Sequence, residues 1–423
     1  MAVAALARLR REPFADLPIA KLLDQLCRDE QHVWRDTLLA PLVTLRLFAL
    51  QILHGNTSIT HLRQLSGVDF APASYCEARQ RLPLAVFTAL LGRMAHWAEQ
   101  QAAPLCCNVA QRQRVFIVDG SSFSTSDTPP LREHFGLPSG TQVGVGYPVA
   151  KLLGLLDAAS GLFVRMLALP LFVHDMRHVT RLHAMLGPGD VLLGDRAFCS
   201  YAHVALLNAA GVFACFRLHQ RRKTTRRRRG GIEHWWRGDR PPAWMTAAQW
   251  LTLPQCIDVR IVRYTVKARG MRTRHVALAT TLLDRHAWPD AKLAALYGQR
   301  WEIETCFDHL KTTMRMNVLK CQSVDGVLKE LAVYLLVYNL VRLAMLRHAH
   351  ACGVAAGRVS FVDALRWLSC RMLGLAGVAA LLINPDRPGR RDPRVIRRRL
   401  KEYNLMKRPR AELKCSETFG EDR

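Results

Sequence analysis

The chain has 423 residues, half of them apolar, with a formal net charge of +26 and a pI of about 10.3. Length and composition fit two or three globular domains and exclude a disordered chain. The charge calls for a large polyanion, with nucleic acid the first choice and an anionic membrane surface the second. Against the membrane, no basic amphipathic anchor or lipidation motif stands out. The longest apolar run, 331–346, is broken by Asn339 and Arg342 and reads as a core helix. Twelve cysteines without a CxxC pair, and no signal peptide, read as reduced thiols in a cytoplasmic protein.

Residues 1–110 carry apolar positions at helical spacing and form an expected helical N-terminal DNA-binding domain. Within it, Thr57 and Ser58 can cap a helix over 59–65, Ser66-Gly67-Val68 makes a turn, and a second helix runs from Pro72 to Arg81. That pattern fits a helix-turn-helix as well as an ordinary helical hairpin. Residues 111–218 change texture. Apolar runs at 115–118 and 191–193 read as buried strands, 149–156 and 162–169 as a strand pair, and 212–218 as a further strand. Helices are expected at 174–186 and 201–210, giving an α/β layer structure. Residues 219–286 form a β-rich insertion with alternating runs at 258–266 and 275–281. Helical texture returns over 287–382, and 383–423 is a basic tail interrupted by prolines.

Four residues between 297 and 311 carry the most chemistry: Tyr297, Arg300, Glu304 and Lys311. On one α-helix they fall within roughly 60° of one another. Glu302 points away, whereas Asp308 shares the face and competes with Glu304. A solvated helix face explains such a set equally well when it stands alone. Two further acids change the balance. Asp119 and Asp195 each end a short apolar strand, at the strand end where α/β sheets form sites. Each alone is more simply a turn or helix cap. Together with Glu304 they form a carboxylate set whose mutual repulsion a hard divalent cation relieves. Two Mg²⁺ ions (Mn²⁺ as a substitute) at Asp119, Asp195 and Glu304 suit in-line phosphoryl transfer.

The ordered set resembles the DDE transposases of the insertion-sequence-4 type. Asp119 comes first, then Asp195 within Gly194-Asp195-Arg196-Ala197-Phe198. Tyr297, Arg300, Glu304 and Lys311 then match the family's Tyr-x2-Arg-x3-Glu-x6-Lys spacing. The likeness covers roughly 10–415, including Tyr338-Asn339-Leu340 and the basic tail. It implies a ribonuclease-H-like catalytic core interrupted by a β-strand insertion before the glutamate. It also implies hydrolysis at the ends of an insertion sequence, then strand transfer by the freed 3′-hydroxyl. Tyr297, Arg300 and Lys311 would grip phosphates near the cleaved end. Double-stranded DNA, both element ends and target, is the implied partner. A homodimer on paired ends and a bacterial, nucleoid-associated location follow from the same likeness. Some members excise through a hairpin using a tryptophan of the insertion, for which Trp235, Trp236, Trp244 and Trp250 are candidates. Sheet core is the simpler role for each.

Other features carry less. Arg226, Arg227, Arg228 and Arg229 make a basic run that reads as a solvated loop contacting phosphates. His174, His178 and His183 have partial zinc spacing without a third ligand, and Gly144-x-Gly146 reads as a loop. Two alternatives stay open: a ribonuclease-H-like DNA nuclease that cuts without joining, and a catalytically silent DNA-binding regulator.

Overall fold

The computed structural model describes residues 19–35, 37–102, 113–139, 146–222, 231–266, 274–317, 319–371, 381–385 and 412. The run Arg226 to Arg229, Gly144 and nearly all of the basic tail lie outside them. Among the described residues five helices come first: α1 (Ile19–Asp29), α2 (Pro41–Leu53), α3 (Ile59–Ser66), α4 (Pro72–Arg81) and α5 (Leu84–Ala102). Ser58 caps α3 by accepting from the His61 N–H, and Gly67 ends it at φ +64, a left-handed angle that glycine adopts without a Cβ clash. Arg79 of α4 turns inward. Its guanidinium donates to Gln51 and Cys321 and lies 4.0 Å from the centre of the Phe48 ring. Ser74 and Arg81 stay exposed.

The strands are β1 (Val115–Ser124), β2 (Val149–Asp157), β3 (Phe163–Pro170), β4 (Val191–Gly194), β5 (Phe213–Arg217), β6 (Ile232–Trp236), β7 (Cys256–Val266) and β8 (Arg274–Thr280). They form one eight-stranded sheet in the order β3-β2-β1-β4-β5-β8-β7-β6. The architecture is therefore mixed α/β. β1, β4 and β5 run parallel at the centre, and β2 and β3 continue antiparallel on one side. The expected insertion does not fold as a separate sheet. Its strands extend the central one, because β8 pairs antiparallel with β5 and so covers an otherwise open edge.

Between strands lie α6 (Pro129–Phe135), α7 (Thr180–His183), α8 (Tyr201–Ala209) and α9 (Ala247–Thr252). The helix expected over 174–186 is absent. A 3₁₀ turn at Asp175–Arg177 and the single turn α7 stand there, followed by i→i+3 bonds from Met185 and Leu186. Histidine, Val179 and Thr180 are weak helix formers. These tight turns bring Met176, Val179 and Leu182 into one buried cluster.

The C-terminal part holds α10 (Asp290–Gly298), α11 (Trp301–Asp308), a π-helical turn (His309–Thr313), α12 (Val324–Ala351) and α13 (Phe361–Arg371). α12 is buried nearly throughout and packs against α2 and α5. Residues of α1, α2, α5, β1, β2 and α12 share one hydrophobic cluster, so the N-terminal helices and the sheet have a common core. The Tyr338-Asn339 pair secures that core to β3. Asn339 accepts from the Phe163 N–H at 3.0 Å and donates to the Phe163 carbonyl at 2.9 Å, while the Tyr338 hydroxyl donates to the Gly161 carbonyl. Among the described residues no helix is long and apolar enough to cross a membrane.

Candidate active site

The parallel pairing of β1 with β4 sets Val118 opposite Gly194. Asp119 and Asp195 each follow by one residue, so the two acids stand at neighbouring positions. Asp195 ends β4 as expected, whereas Asp119 does not end its strand, because β1 continues to Ser124 in antiparallel pairing with β2. Asp119 lies on the side of β1 that faces α11, because side chains alternate along a strand and Ile117 belongs to the cluster on that side. Its Oδ1 accepts from the Gly120 N–H at 2.8 Å. Asp195 caps the 3₁₀ turn Arg196–Phe198, with its Oδ1 accepting from the Ala197 N–H at 2.7 Å. The capping role that sequence allows for Asp195 is thus real, and it occupies one carboxylate oxygen.

Glu304 is brought in by α11. The approach of that helix depends on Gly154, the register partner of Asp119 on β2. A Cβ on Gly154 would stand 2.9 Å from Phe163 and 3.0 Å from Phe307, closer than packed carbons tolerate. Phe307, one turn after Glu304, therefore sits against bare backbone beside Asp119. Phe163 and Phe307 pack with ring centres 5.3 Å apart.

The segment from Tyr297 to Lys311 is not one regular helix. α10 ends at Gly298, and α11 gives way to the π-helical turn that contains Lys311. Gln299 and Arg300 keep helical backbone angles across the first break, so Tyr297, Arg300 and Glu304 stay on a common side. Arg300 donates to Asp119 Oδ2 at 2.9 Å and to Glu304 Oε1 at 2.7 Å. Lys311 is buried, and its Nζ lies 3.4 Å from the Ser121 hydroxyl, two residues along β1 from Asp119. Tyr297 is buried beside Arg300 and Asp195, and burial pushes its phenol above the usual range. Asp308 is exposed and accepts from Thr312 at 2.8 Å, away from the acids that act on Asp119.

The Asp119 carboxyl is pushed up to about 6. Burial is the main cause, and Asp195 and Glu304 add to it. The Gly120 N–H and Arg300 oppose the rise. Three acids around one partly buried region form an oxygen donor set that fits a hard divalent cation. Arg300 supplies positive charge to two of these acids, Asp119 and Glu304. The carboxylates are not drawn together on one point: among the described residues, the group of three ligand atoms mutually within 4.8 Å lies elsewhere, on β6 and β7.

A cavity of about 930 Å³ adjoins the triad through Ala197, two residues beyond Asp195. His174, Arg177, His219, Arg221, Arg222 and Trp244 line it. The triad itself lies outside the lining, so the cavity neighbours the acids rather than containing them. Of the four tryptophans, Trp235 and Trp250 are core, Trp236 is exposed, and Trp244 alone reaches this cavity. His174 caps its own turn, and His183 pairs with His203 at 3.0 Å. Among the described residues, His174, His178 and His183 do not converge on a metal site. Sequence reasoning missed Gly154 and Ser121, because neither carries a signal without the register.

Residues 110–340 match the family model described as a transposase DDE domain. That match spans more than half of the chain. The chain belongs to the DDE transposase family. It is 25% identical over 362 residues to the transposase InsG for insertion sequence element IS4 of Escherichia coli (strain K12). The alignment covers 79% of this chain and 78% of that protein. A cryo-EM structure of the piggyBac transposase synaptic complex with hairpin DNA is also similar, at a TM-score of 0.43 and 11% identity. That likeness covers 88% of this chain and 80% of the other. The chain is a transposase, and its family cuts and joins DNA using divalent metal ions.

Proposed function

We propose that Asp119, Asp195 and Glu304 hold two Mg²⁺ ions and that this site cleaves insertion-sequence ends and joins them to target DNA. The observation that carries this reading is the Val118–Gly194 register, which makes neighbours of two acids 76 positions apart. Bound ions would supply Lewis-acid stabilisation to the attacking and leaving oxygens. The chain's own part is positional. Asp195 stays oriented by its cap to Ala197, and Glu304 rides a helix fixed by Phe307 against Gly154. Arg300 and Lys311 put cationic groups beside the acids, where a DNA phosphate gives each a competing anionic partner. Tyr297, Arg300 and Lys311 are read as the phosphate contacts.

The central five strands are read as the ribonuclease-H-like core, and α1 to α5 as the N-terminal DNA-binding part. The inward packing of Arg79 favours a hairpin braced against the core for α3–α4 over a groove-reading helix-turn-helix. The basic run Arg226 to Arg229 and the tail are assigned to sequence-independent phosphate contacts. A homodimer on paired ends and a nucleoid-associated place in the bacterial cytoplasm complete the reading. If excision passes through a hairpin, Trp244 is the tryptophan best placed to stack on an extruded base.

The test is joining of a pre-cut element end to plasmid DNA. Joining that requires Mg²⁺ or Mn²⁺ and stops with chelator supports the proposal. Cutting without joining supports a nuclease, and binding alone supports a silent regulator.

A further inference from the structure

Three ligand atoms of different chemistry meet outside the triad: an imidazole nitrogen of His234, the thiol of Cys256 and a carboxylate oxygen of Asp258. All lie within 4.8 Å of one another. The sheet register puts them there. His234 on β6 is the direct partner of Asp258 on β7, and Cys256 stands two residues before Asp258. Alternation along β7 places Cys256 and Asp258 on the same side, so His234, Asp258 and Cys256 share one face. His234 and Asp258 already touch, at 2.6 Å between Nδ1 and Oδ1. Both are half-exposed and Cys256 is partly so, which leaves ion entry open and a fourth position for water.

We infer that His234, Cys256 and Asp258 form a binding site for a borderline divalent transition metal, zinc in the first instance, that fastens β6 to β7. One nitrogen, one sulfur and one oxygen ligand with an open fourth position match zinc chemistry. The thiolate discriminates against Mg²⁺, which prefers oxygen and water. β6 is five residues long and, among the described residues, pairs with β7 alone at the edge of the sheet. The His234–Asp258 pair by itself holds such an edge weakly, since exposed ion pairs contribute little. A metal bridging both strands is a stronger fastening, and strand backbone presents the ligands with little reorganisation. This site is independent of the triad, three strands away from β4 along the sheet.

The experiment is a Co²⁺ titration of the full chain in excess Mg²⁺, reading the thiolate-to-cobalt charge-transfer absorption. Only a cysteine ligand produces that band, so ions at the carboxylate triad do not contribute. The wild-type chain is expected to develop the band at one equivalent, Cys256→Ser to lose it, and zinc to displace it. Amide exchange over 232–236 is expected to slow with zinc in the wild-type chain and not in Cys256→Ser or His234→Ala. A missing band, or a band undiminished in Cys256→Ser, overturns the inference. So does zinc binding that leaves exchange in β6 unchanged.

Discussion

Asp119 and Asp195 stand side by side because Val118 and Gly194 are partners in the parallel pairing of β1 and β4. Arg300 then bridges Asp119 to Glu304 through two charged hydrogen bonds. The guanidinium thus holds two of the three acids, and Asp195 stands beside Asp119 across the strand pairing.

Arg300 supplies positive charge to Asp119 and Glu304. Removing it leaves carboxylates that repel one another in a partly buried place. Charged hydrogen bonds of this kind contribute ~1.5–3 kcal/mol, and Glu304 is exposed enough to reduce that. Arg300→Ala should therefore melt several degrees lower without metal. Its gain in Tm on adding Mg²⁺ should exceed the wild-type gain, because the ion no longer competes with the guanidinium. Melting curves with and without Mg²⁺ check both. An equal gain in the two proteins contradicts that competition.

The raised Asp119 carboxyl makes ion binding depend on pH. A folded-state value of about 6 against 3.8 unfolded means the folded chain holds the proton more tightly. Without metal, this group's contribution to stability is fully present below pH 3.8 and is lost as pH rises through about 6. A divalent ion competes for the same oxygens. Mg²⁺ affinity should thus rise between pH 5 and 7 with proton release, and the rise should be much smaller in Asp119→Asn. Calorimetry in buffers of different ionisation enthalpy reads that proton directly.

Gly154→Ala tests how the helix is placed. The added methyl meets Phe163 and Phe307 at about 3 Å. Overpacking of this kind costs about 1–3 kcal/mol. The expected outcome is a modest loss in Tm and a far larger fractional loss in strand transfer, because Phe307 and Glu304 move together. Normal joining in a folded Gly154→Ala protein would show that Gly154 does not set the position of Glu304.

Arg226 to Arg229 carry a prediction from charge alone. Replacing all four by Ala should weaken DNA binding about equally for every sequence. The slope of log affinity against log salt should fall by about 0.9 for each phosphate that these side chains no longer neutralise. Competition titrations over a salt series measure it. An unchanged slope places these arginines away from DNA.

The sequence made some features plain and hid others for physical reasons. Asp119 and Asp195 stood out in the sequence because a charge after four buried residues is costly without a purpose; Asp195 does end its strand, whereas β1 runs on past Asp119 to Ser124. The strands at 149–157 and 163–170 were legible from their apolar runs and intervening turn. Two other features were not. The extension of the sheet by β8 depends on edge pairing between distant segments, which no local pattern encodes. The break after Gly298 and the π turn at Lys311 were hidden because helical spacing survives both closely enough to look continuous. Gly154 was silent because its importance is a missing side chain opposite two aromatics. The different surroundings of Glu304 and Asp308 appear only in the tertiary structure. Spacing treats them alike, but Glu304 meets Arg300 while Asp308 faces Thr312.

The choice between Glu304 and Asp308 gives the most direct measurement: Mg²⁺-dependent joining of a pre-cut element end by Glu304→Gln and Asp308→Asn, with DNA binding measured alongside. The account predicts that Glu304→Gln loses joining by several orders of magnitude while still binding DNA, and that Asp308→Asn keeps most of its activity. Normal joining by Glu304→Gln, or abolition by Asp308→Asn in a folded protein, contradicts it.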